Sequence, residues 1–260
     1  MKAPRVILLV GLALSLIACN GGAADPTEPT GRPQDTITRP SRPSTTLPIR
    51  PQRTTAPSEA APTTAGGPVP TAPVGEPTDV EGSIGYVGCS MTENAIDGYT
   101  ALGGTQFWPR FGRYGGGTVG RWAFGTEAGS RLWAIFRGQL REEPDTAAIW
   151  WQLCTFAGGG QDDLGRAMTV LEEIRASAPD LPVYVSPQPS YTEGHVCEIA
   201  GDGGPERMAQ LAADLVATGE VLAGPPQGPL SSDVTRDGCH ADTAGEEILG
   251  EQLATFFKGS

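Results

Sequence analysis

The run Thr146-Ala147-Ala148-Ile149-Trp150-Trp151-Gln152-Leu153-Cys154-Thr155-Phe156 constrains this chain more than any other stretch. It is almost continuously apolar. It lacks the alternation of a strand with one wet face, and it suits a central parallel strand buried on both faces. A strand of that kind needs helices above and below it, so it admits an α/β fold.

The flanking patterns agree. Further strands are expected at Ser83 to Cys89, Pro182 to Ser186 and Glu220 to Ala223, with a short strand and turn at Tyr114 to Val119. Thr92 to Gly103 reads as a short helix or loop. Ala128 to Leu140 carries Leu132, Ile135, Phe136 and Leu140 at helical spacing, and Asp163 to Ala178 repeats the period until Pro179 stops it. Gly204 to Thr218 is helical, and Thr243 to Phe257 closes the chain behind a Thr243-Ala244-Gly245-Glu246 capping box. Strands alternating with helices predict a three-layer α/β/α sandwich with a central parallel sheet, whose ligands bind at the carboxyl ends of the strands.

Not all of the 260 residues belong to that domain. Residues 1–19 have a basic start (Lys2, Arg5) and an apolar run from Val6 to Ala18, the layout of a secretory signal. The ending Leu16-Ile17-Ala18-Cys19 resembles the lipobox of bacterial lipoprotein signal peptides. That resemblance implies cleavage before Cys19, lipidation of Cys19 and an exported domain anchored to the membrane of the cell envelope. An ordinary signal peptide with an incidental cysteine is the alternative. Residues 20–79 are rich in Pro and Thr, with apolar residues scattered singly. Such a segment buries too little surface to offset its ordering entropy and is expected to be a disordered linker. The domain is then 80–260.

The domain is acidic. The formal charge of the whole chain is −12, the first nineteen residues are basic and the linker is near neutral. This argues against nucleic acid as a partner. The chain is expected to be a monomer. Of five cysteines, Cys89, Cys154, Cys197 and Cys239 lie in the domain, and an exported domain allows disulfides. Cys197 and Cys239 sit in Gly-rich loops and are the favoured pair. Cys89 and Cys154 each end an apolar run, as buried thiols or as a second bridge.

Chemistry is suggested where the first strand ends. Ile84 to Val87 runs into Gly88-Cys89-Ser90, and a helix-compatible segment follows. That order puts the Ser90 hydroxyl at the carboxyl end of a strand, beside helix N-terminal N–H groups that favour developing negative charge. Ser90-Met91-Thr92-Glu93 also fits a capping box, in which Ser90 only caps the helix. A serine alcohol needs a base. Asp237-Gly238-Cys239-His240 offers one, since a carboxylate three residues before an imidazole can hold one tautomer of it.

Taken together, Gly88-Cys89-Ser90, the Tyr114-Gly115-Gly116-Gly117 cluster and Asp237-Gly238-Cys239-His240 resemble the SGNH hydrolases, also called the GDSL esterase and lipase family. The resemblance spans the domain and implies an SGNH, flavodoxin-like fold and an esterase that needs no cofactor or metal. It implies Ser90 as nucleophile and oxyanion donor, Gly117 or its neighbour Gly116 as a second donor, His240 as base and Asp237 as its orienter. The implied substrate is a small-molecule or polymer ester, on an envelope polysaccharide or a lipid. One block departs: after the strand at 146 the family has Gly-x-Asn-Asp, whose Asn donates to the oxyanion. Here the residues are Gln152-Leu153-Cys154-Thr155-Phe156, so the expectation is that Thr155 or Gln152 substitutes, or that the hole keeps only backbone donors.

Three other readings follow from the same residues. His195-Val196-Cys197 with Cys239-His240 could ligate zinc. The aromatics Trp108, Phe111, Trp122, Trp150 and Trp151 read mostly as core, with Trp108, in a Pro-Gly loop, the best candidate for substrate contact. The absent Asn allows a non-catalytic or weakly active binding module on the same fold.

Overall fold

Continuous apolar character takes both faces of the middle strand out of water, and the last six residues of Thr146–Leu153 are buried. The structure, a computed structural model, describes residues 73–110, 114–128, 130–159 and 161–258. The residues read above as signal segment, with Cys19, those read as linker up to residue 72, and Phe111 lie outside the described residues.

The strands are β1 (Thr78–Asp79), β2 (Ser83–Val87), β3 (Thr146–Leu153), β4 (Val183–Pro187), β5 (Leu222–Ala223) and β6 (Phe257–Lys258). The helices are α1 (Ser90–Ala101), α2 (Val119–Ala128), α3 (Arg131–Glu142), α4 (Leu164–Ser177), α5 (Gly204–Ala217) and α6 (Thr243–Phe256). The main sheet has the order β2-β3-β4-β5 and is parallel throughout, with Tyr86 beside Trp150 and Trp150 beside Tyr184. α1 packs on α6, while α2 packs on α3 and α4, and α4 on α5. Strands buried on both faces require cover on both sides, and these two helix groups supply it.

Four expectations need correction. The glycines at 114–119 do not form a strand. Gly117 N–H closes a turn on the Tyr114 carbonyl at 2.9 Å, Gly116 takes φ +75°, and α2 begins directly after. A Gly triplet has no side chains to pack on a pleated edge. A single bridge between Ile84 and Phe107 lies beside β2 instead. The folded domain also begins before residue 80, because β1 pairs with β6 and Val80 is buried. The cap of α6 is Asp242, which accepts from Gly245 N–H at 3.0 Å, one residue before the expected Thr243. Finally, Trp108 is 1 % exposed and its Nε1 donates to Thr146 Oγ1 at 2.9 Å, so it is core and not a substrate platform. All five tryptophans are buried. Trp122, Trp133 and Trp150 make edge-on ring contacts, with the Trp122 and Trp133 centroids 4.8 Å apart.

One helix contact positions everything that follows. α1 starts at Ser90, and α6 starts three residues after His240, so packing α1 on α6 brings both starts together. Gly98 and Gly250 allow it. A Cβ on Gly98 would stand 1.7 Å from the Glu246 carbonyl oxygen, and one on Gly250 would stand 2.3 Å from Gly98 backbone. Backbone cannot yield as a side-chain end can. Gly250→Ala should therefore destabilise the fold by about 1–3 kcal/mol, read from the urea midpoint.

Candidate active site

Ser90 is the first residue of α1, and Cys89 is its N-cap. The box that closes this end uses Thr92, whose Oγ1 accepts from Cys89 N–H at 3.0 Å. The capping role weighed for Ser90 is thus filled by its neighbours, and its hydroxyl is left for another partner. Gly88 is needed just before, since a Cβ there would lie 2.0 Å from Thr92 Oγ1. The Ser90 N–H belongs to the first helical turn, whose donors have no intrahelical acceptor.

The partner is His240. Ser90 Oγ and His240 Nε2 are 2.8 Å apart, across 150 residues of sequence. On the far side of the ring, His240 Nδ1 lies 2.7 Å from Asp237 Oδ2. Asp237 Oδ1 accepts from His240 N–H at 2.7 Å and from Cys239 N–H at 3.0 Å, so the carboxylate also folds its own loop. Burial pushes the Asp237 carboxyl up, but the hydrogen bonds from the His240 backbone, the His240 ring and Cys239 N–H outweigh it. The net result is a value below the usual carboxylate range. A carboxylate so held takes Nδ1–H, leaving the Nε2 lone pair to face the Ser90 hydroxyl.

Two disulfides hold these loops. Cys197–Cys239 is the expected pair, and Cys89–Cys154, open from sequence, is a second bridge. Each joins a residue directly before a site residue, Cys239 before His240 and Cys89 before Ser90, and the four cysteines pack into one buried cluster with Met91 and Ala200. The zinc reading is overturned, because Cys197 and Cys239 bond to each other and His240 faces Ser90. Replacing both Cys197 and Cys239 by Ala should cost roughly 2–5 kcal/mol by denaturant titration. Tyr191 OH adds a hydrogen bond to the Cys239 carbonyl at 2.8 Å, and His195 Nε2 lies 2.7 Å from the Gly238 carbonyl. Sequence reasoning missed Tyr191. No local signal marks it, because its contact with the Cys239 carbonyl crosses 48 residues of sequence.

The expected oxyanion donors fare differently. Gly117 packs on the nucleophile loop: a Cβ there would lie 2.1 Å from the Gly88 carbonyl oxygen. Its N–H, however, is taken by Tyr114 O. The turn leaves the Gly116 N–H without an acceptor among the described residues. Thr155 is buried and donates its hydroxyl to Asp162 Oδ2 at 2.6 Å. Gln152 is buried too, accepting from Thr92 Oγ1 at 2.8 Å and donating its Nε2 to Gln227 Oε1 at 3.4 Å. Neither side chain is a free donor, because tertiary partners satisfy both. Gln188 accepts from Thr155 N–H at 3.0 Å, and its buried Nε2 has no partner. Next to the Gly turn, Thr118, Arg121, Phe124 and Phe156 help to line an open groove of about 350 Å³.

No family model matches this chain. No curated protein matches it either. Among solved structures it is similar to one described as "a putative SGNH hydrolase from Slackia heliotrinireducens", at 19% identity and a TM-score of 0.47, over 67% of this chain and 97% of that one. It is also similar to one described as "a putative GDSL-like lipase from Parabacteroides merdae", at 11% identity and a TM-score of 0.40, over 71% of this chain and 97% of that one.

Proposed function

We propose that the domain is an exported serine hydrolase that cleaves esters through an acyl-enzyme intermediate. The observation that carries this reading is the line Ser90 Oγ, His240 ring and Asp237 carboxylate, with contacts of 2.8 and 2.7 Å. His240 Nε2 takes the Ser90 proton as Oγ attacks the ester carbonyl. The N–H of Ser90, at the positive end of α1, and that of Gly116 receive the oxyanion. The proton returns from Nε2 to the leaving alcohol, and water repeats the cycle to free the acid. The groove at Arg121, Phe124 and Phe156 holds the remainder of a small-molecule or polymer ester. Two disulfides fit a chain folded in an oxidising compartment. No helix among the described residues is long and apolar enough to cross a membrane. Attachment through a lipid on Cys19 is part of this proposal.

Labelling with a fluorophosphonate tests the reading. The expected adduct maps to Ser90 and is abolished by prior esterase inhibition. No adduct, or an adduct elsewhere, would overturn it. One observation favours a second reading, a weak or non-catalytic binding module: neither Gly117 N–H nor Thr155 Oγ1 is free to donate. Protein inert to acetyl and longer esters and unlabelled at Ser90 would favour that module.

A further inference from the structure

We infer that His195 is a positioning residue for His240, acting on the loop between Asp237 and His240. This rests on the hydrolase reading above. Nε2 of His195 is 2.7 Å from the Gly238 carbonyl oxygen. A carbonyl only accepts, so Nε2 is the donor of this contact. The ring stacks on Tyr191, with centroids 4.9 Å apart and planes 24° apart. Tyr191 in turn donates to the next carbonyl, that of Cys239, at 2.8 Å. Burial, and after it the charge of Asp237, hold the Tyr191 phenol well above its usual value, so it remains a donor. A stacked pair thus grips two successive carbonyls of the short loop that carries the base. The same segment reaches that loop a third time through Cys197–Cys239.

A plain loop hydrogen bond explains less. Nδ1 of His195 is buried with no partner. An unpaired buried polar atom is costly, and Nδ1 adds nothing to local stability. What the ring supplies is a flat body to stack on Tyr191 and a donor at a fixed reach. Gly238 takes φ +75°, so its peptide is turned as few residues other than Gly allow. Letting its carbonyl go would remove one of the ties that fix the Asp237–His240 turn, beside the Asp237 carboxylate, Tyr191 and the disulfide. A shift of about 1 Å at a reacting group can cost about 100-fold in rate.

The experiment compares wild type, His195→Ala and His195→Gln on a small ester, with thermal unfolding of all three. Gln keeps a side-chain N–H near the position of Nε2. The Ala variant should lose about 10–100-fold in kcat with KM within about two-fold, and the Gln variant should recover most of it. Equal losses in Ala and Gln would overturn the assignment, as would a loss in Ala that merely follows its unfolded fraction. If wild type neither hydrolyses esters nor labels at Ser90, the hydrolase reading falls and the role of His195 falls with it. An active wild type with an indifferent Ala variant removes the role alone.

Discussion

Ser90→Ala should lower kcat on any ester that the wild type hydrolyses by at least about 10⁴-fold, and should abolish phosphonate labelling. Among the described residues, the Ser90 hydroxyl is the nucleophile that the His240 ring touches, at 2.8 Å. The fold should not notice the change, because Cys89 and Thr92, not Ser90, close the start of α1. An unaltered circular dichroism spectrum beside a lost reaction is the expected pair of results. Undiminished turnover would end the assignment.

Asp237→Asn should cost nearly as much, about 10³–10⁴-fold in kcat, with KM little changed. Oδ1 already accepts two backbone N–H groups, and Oδ2 accepts Nδ1–H. An amide has one oxygen for three donors. If that oxygen stays with the backbone, an NH₂ faces Nδ1, and the ring must move its proton to Nε2. It would then meet the Ser90 hydroxyl as a donor and could not take its proton. The acid side is also predictable in sign. The folded value of Asp237 is depressed. Its stabilising contacts are therefore complete above the ordinary carboxylate range and disappear only as pH falls through the lower folded value. Asp237 is partly exposed, so the effect on stability is small, and the kinetic measurement is the sensitive one.

The parts of the site that could be read from sequence are those built by neighbours in the chain. Asp237 and His240 are three residues apart, and Gly88 to Ser90 is a strand-to-helix turn whose physics is local. Likewise the apolar run at 146 announced β3 before any partner strand was known. What stayed hidden was decided across the fold. Trp108 is flanked by Pro109, which suggests a loop, yet its indole is buried against β3 through Thr146. The Thr155 hydroxyl was free to be an oxyanion donor until Asp162, seven residues on, claimed it. Helix α2 contains two glycines, poor helix formers. Its Trp122 Nε1 donates to the Gly88 carbonyl at 2.9 Å, so tertiary contact overrides propensity. The Cys89–Cys154 pairing spans 65 residues, and four cysteines leave three arrangements open.

Cross-links beside both Ser90 and His240 have a consequence for when such a chain becomes competent. A newly made polypeptide carries five thiols, four of them in the domain, and neither covalent tie. Where thiols stay reduced, the serine turn and the base loop would rely on weaker contacts alone, and hydrolysis should be slow. Oxidation would tighten both loops together, so that maturation, more than synthesis, would start the clock on the proposed esterase activity.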